Sequence, residues 1–79
     1  MNLQWRERSL YAECHFNGIR GLALAQFGQE GKIDHVSAEV ILPDGQHIHP
    51  QRPKSFVSFE PAKAWIEETI LRLCKEVKS

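Results

Sequence analysis

The chain has 79 residues, ten Lys or Arg against ten Asp or Glu, and a hydrophobic share of 42%. That length fits one domain over residues 1–79, and the even charge balance excludes both a strongly basic nucleic-acid binder and an acidic nucleic-acid mimic. A domain this small buries roughly 60% of its extended-chain surface, so its stability is thin and association with another surface would add to it. No apolar run approaches the ~20 residues of a membrane span, and the N-terminus lacks the basic-then-apolar layout of a signal peptide. The expected location is the cytoplasm, without membrane contact. Two cysteines, Cys14 and Cys74, are too few for a disulfide scaffold and form no Cys-x-x-Cys motif. They are expected as reduced thiols near the core.

In chain order, residues 3–8 alternate Leu3 and Trp5 against Gln4 and Arg6, and the strand is expected to run on through residues 10–16 with a bulge or bend at Ser9. Asn17-Gly18 follows, between two runs of alternating hydrophobicity. A two-residue type I′ turn needs positive φ at both central positions, which Asn tolerates and Gly accepts freely. The second strand covers residues 19–27 and the third 35–42, ended by the turn tripeptide Pro43-Asp44-Gly45. A short fourth strand, residues 46–49, stops at Pro50. Pro50 and Pro53 then hold an extended loop.

A helix is predicted over residues 60–77, with Ser58 as N-cap, Pro61 in the first turn and Glu60 at the positive end of the dipole. At 100° per residue, Ala62, Ile66, Thr69, Ile70, Leu73 and Val77 form one stripe with Trp65 at its edge, and Leu71 falls opposite. The expected fold is therefore α+β: a small four-stranded antiparallel meander with one C-terminal helix packed on one face.

The Asn17-Gly18 turn also assigns the faces. It pairs Phe16 with Ile19, Cys14 with Gly21, Ala12 with Ala23 and Leu10 with Ala25, a face with small residues at its centre where a helix can approach closely. The other face receives Tyr11, Leu22 and Leu24, with Ile41 joining from the third strand. An ordinary solvent-facing side would be polar throughout. Three outcomes satisfy these side chains: residues 1–8 fold over them, two copies bury them together, or another protein binds there.

Chemistry is sparse. Cys14 and His15 are neighbours in a strand and point to opposite faces, so they make no nucleophile–base pair. His47 and His49 share one side of a strand, with Glu39 or His35 as a third group for a metal, but the spacing demands no ligand set and solvated edge histidines are the expectation. No metal or cofactor is therefore assigned. Residues 45–59 lack an acidic group while holding His47, His49, Arg52 and Lys54 among Phe56 and Phe59, which makes the loop 46–54 a candidate contact for nucleic acid or phosphate. There is no P-loop, no Gly-x-Gly-x-x-Gly and no serine elbow.

The leading expectation is a non-enzymatic protein–protein interaction module, a homodimer or a binder of another protein, acting by occluding a surface. A bacterial or phage accessory protein or inhibitor fits that size. The alternative is a nucleic-acid or phosphate-binding module on the 46–54 loop, and the third a metal site on His47 and His49.

Overall fold

The computed structural model describes residues 3–51 and 54–77, with side chains through residue 74. The hairpin turn is where its geometry begins. Asn17 has φ 52° and Gly18 φ 81°, the positive pair that a type I′ turn requires. That turn joins β2 (Tyr11–Phe16) to β3 (Ile19–Phe27) and sets Phe16 against Ile19, Cys14 against Gly21 and Ala12 against Ala23. The chain then returns as β4 (Ile33–Ile41) and turns through Pro43, Asp44 and Gly45, the last at φ 93°, into the two-residue β5 (His47–Ile48).

The sheet has five strands rather than the four expected. Residues 3–16 do not form one bent strand: β1 (Trp5–Glu7) doubles back on β2, with Trp5 opposite Cys14, Arg6 opposite Glu13 and Glu7 opposite Ala12. The Arg8 amide donates to the Tyr11 carbonyl at 2.8 Å and closes the turn around Ser9. Docking on the helix favours this reversal. The Trp5 indole Nε1 donates to Glu67 Oε1 at 3.0 Å, and Lys63 both bonds the Glu7 carboxylate and lies 5.4 Å from the Trp5 ring centroid. A straight extension of the strand would leave all four groups in water. The resulting order is β1-β2-β3-β4-β5, antiparallel throughout.

One face of this sheet carries α1 (Phe59–Val77). Of the stripe read from periodicity, Ala62, Ile66 and Ile70 are fully inaccessible, packed on Ala12, Cys14, Ala23, Val36, Ala38 and Val40, and the Val77 side chain lies outside the described residues. Alanines at the sheet centre let the helix axis come close, so branched helix residues fill the space between layers. Thr69, the one buried polar residue among those described, donates its hydroxyl to the Trp65 carbonyl at 2.8 Å and so leaves no unpaired group. Ser58 precedes the first helical residue, and Leu71 lies on the exposed side.

Beyond β5 the chain comes back to β4. Phe56 and Val36 exchange two backbone hydrogen bonds, of 2.7 and 2.9 Å, and the Phe56 ring is buried in the core. Among the described residues, no helix is long and apolar enough to cross a membrane.

Candidate functional site

A single helix covers a single face, and among the described residues no element forms a layer on the sheet's other face. The pairing puts the side chains of that open face in rows. Leu22 lies between Glu13 and Glu39, Leu24 between Tyr11 and Ser37, and Arg20 between His15 and Ile41, with His47 beyond Ile41. Tyr11, Leu22 and Ile41 are half-buried by their neighbours, and Leu24 is exposed. Of the three ways to satisfy these residues, the fold removes one. β1 extends the sheet at its edge, with Trp5 and Glu7 turned to the helix, and does not lie over the open face.

Two carboxylates organise the polar part of the face. Glu13 accepts from Arg20 Nε and Nη2 at 3.2 and 3.0 Å through one oxygen, while Arg6 and His15 stand at 3.9 and 3.8 Å. Glu39 faces His47 Nδ1 at 3.0 Å and His49 Nε2 at 3.9 Å. These clusters flank Leu22, and both lie on strand faces fixed by period-two alternation. Glu7 is on the opposite face, bonded to Lys63. That hydrogen bond raises the Lys63 ammonium above its ordinary value.

Cys14 and His15 are separated by the sheet, as alternation requires. Cys14 is 1% exposed on the helix side and His15 is exposed on the open side. Burial pushes the Cys14 thiol up to about 11, with Glu67 and Glu13 adding to the shift. A thiol held protonated and sealed from solvent makes a poor nucleophile.

The 46–54 loop is partly taken apart by the fold. His47 and His49 turn to Glu39, Lys54 is exposed, and Arg52 lies outside the described residues. Phe56 is in the core and Phe59 packs against it. The buried Phe56 ring is not free to stack on a base, while Phe59 keeps part of its surface exposed.

A second apolar group was not read from the sequence. At the end of the β3–β4 hairpin, past a bulge at Gln26, Phe27 pairs with Ile33, and both are about half exposed. Leu10 is equally exposed and hydrogen-bonds through its carbonyl to the Ala25 amide at 2.9 Å. The available signal was positional: Phe27 and Ile33 flank the Gly28–Gly31 turn, where a hairpin projects past its helix. No protein-family model matches the chain, and no match is found among curated proteins or solved structures.

Proposed function

We propose that the protein is a non-enzymatic protein–protein interaction module that pairs with a second copy of itself through the open sheet face. One observation carries this reading: α1 buries one side of the sheet while Tyr11, Leu22, Leu24 and Ile41 remain on the other without a covering element. Full burial from full exposure contributes about 1.5–3 kcal/mol per side chain, and completing the burial of these partly covered residues adds a fraction of that each, which matters in a chain this short. The charges favour self-pairing as well. Glu13 and Glu39 alternate with Arg6, Arg20 and the histidines, so two copies related by a two-fold axis can set acid against base without a like-charge penalty. In the wider reading, the same face occludes a surface on another protein in an accessory or inhibitory role.

The test is Leu22→Lys followed by light scattering. Glutamate is the wrong probe here, because it would stand between Glu13 and Glu39, whereas lysine pairs with both. The expected result is a dimeric wild type and a folded, monomeric variant. A monomeric wild type overturns the homodimer. A dimer that survives Leu22→Lys but is lost in Phe27→Lys moves the interface to the hairpin tip and overturns the reading of the face.

A further inference from the structure

We propose that Glu39, His47 and His49 form a binding site for a divalent transition-metal ion of the zinc type, on the same open face that is proposed for pairing but complete within one chain. The three residues each offer one ligand atom, and those atoms all lie within 4.8 Å of one another. His47 and His49 reach the same side of the sheet because Ile48, between them, turns to the helix side and packs on the core. The short loop after β4 keeps them level with Glu39. The Leu42 amide donates to the Gln46 carbonyl at 2.8 Å, so Ile41 faces His47 and Val40 faces Ile48. One further step along each strand brings Glu39 alongside His49.

The spacing suits the ion. Ligands about 2.0–2.2 Å from a tetrahedral zinc stand roughly 3.3–3.5 Å from each other. The nitrogens facing Glu39 are at 3.0 and 3.9 Å from the same carboxylate oxygen, so closure needs only side-chain rotation. Two imidazoles and one carboxylate make a mixed nitrogen and oxygen set, which suits zinc, copper or nickel and not magnesium or calcium. Three protein ligands leave one tetrahedral position for water or an incoming donor.

The backbone fixes the site unequally. Glu39 springs from near the end of β4 with its side chain 22% exposed, held between Leu22 and the last strand. The histidines stand at 50% and 61% exposure, His47 in the two-residue β5 and His49 just past its end, open to an ion from solvent. Glu13 supplies a contrast on the same face. Its neighbours include two guanidiniums, which hold the carboxylate but cannot ligate a metal, so a carboxylate beside histidine is not by itself the signature.

The experiment is titration of the full chain with Co²⁺, followed by displacement with Zn²⁺. Expected are one saturable equivalent per chain, visible ligand-field absorption of a tetrahedral cobalt site, and no thiolate charge-transfer band from Cys74. His47→Ala, His49→Ala and Glu39→Gln should each weaken binding by roughly tenfold or more. His15→Ala and His35→Ala should leave it unchanged. All five positions are on the open face, and circular dichroism confirms that each variant is folded. The absence of saturable binding overturns the proposal, as does binding that survives His47→Ala or Glu39→Gln. A site lost equally in the His15 and His35 variants also overturns it. Stoichiometry is counted per chain, so a monomeric protein that binds the metal defeats the pairing and leaves this site standing.

Discussion

Ile66 fills the space that a side chain on Gly21 would need. A β-carbon built on Gly21 would stand 2.4 Å from Ile66 Cγ2 and 2.9 Å from Cys14 Sγ, both closer than atoms can come. The glycine in mid-strand is thus the contact point between sheet and helix rather than a turn residue. Gly21→Ala is expected to destabilise the fold by about 1–3 kcal/mol, the usual cost of overpacking a filled core. Urea unfolding measures it, and Gly21→Ala should cost less in an Ile66→Ala background, where the clashing Cγ2 is gone, than in the wild type.

Trp5 is the tie between the first strand and the helix. Trp5→Phe keeps an aromatic ring but loses the indole N–H and with it the hydrogen bond to Glu67. The expected loss is about 1–2 kcal/mol, at the lower end for a bond to a charged acceptor because the site is partly solvated. Amide hydrogen exchange in Trp5–Glu7 should accelerate more than exchange in β3, since the edge strand opens first.

The two thiols should differ in behaviour. Cys74 is half-buried and Cys14 is sealed. One thiol per native chain is expected to react with a disulfide reagent at mildly alkaline pH, and the second only after unfolding. The pH dependence of stability follows from the same burial. The unfolded thiol releases its proton near 9.0 and the folded one near about 11, so the folded state holds more protons between these values. The contribution of Cys14 is then fully present below about 9 and declines as the pH rises toward 11. Cys14→Ala should flatten that part of the stability profile.

Nucleic acid offers a direct check on the alternative reading of the 46–54 loop. The expected outcome is no retention on DNA or RNA at low salt. If retention is seen, Arg52→Ala with Lys54→Ala should lower the salt slope by about one phosphate contact each. That result would favour the loop over the sheet face as the functional surface.

The parts of the fold legible in the sequence were those governed by local rules. Asn17-Gly18 sets a register that needs no distant information, and from it Cys14–Gly21 and Ala12–Ala23 follow by counting. The helix was legible because its apolar stripe repeats for roughly four turns. The β1–β2 turn was not. Arg8, Ser9 and Leu10 contain no Gly, Pro or Asn to mark a reversal, and the reason for it lies far along the chain in Lys63 and Glu67. The open face was legible in outline, since alternation alone sends Tyr11, Leu22 and Leu24 together. Its detail was less so. Glu39 appeared as one of two equal third partners for the histidines, and only the pairing through Pro43-Asp44-Gly45 selects it over His35, which bonds Asp34 instead. Phe27 and Ile33 escaped because their exposure depends on where the helix stops covering the hairpin.

The borders of the sheet decide what kind of assembly it can enter. On one side β1 is three residues long and held by the helix. On the other, β5 has two residues and Phe56 occupies backbone groups of β4 beyond it. Stubs of this length give an incoming strand little to pair with, so open-ended growth into fibres by strand addition is disfavoured. Contact through the flat of the sheet is different in kind, because a patch that matches itself across a two-fold axis is used up once two copies meet. If copies pair through that face, the assembly is expected to stop at two rather than extend.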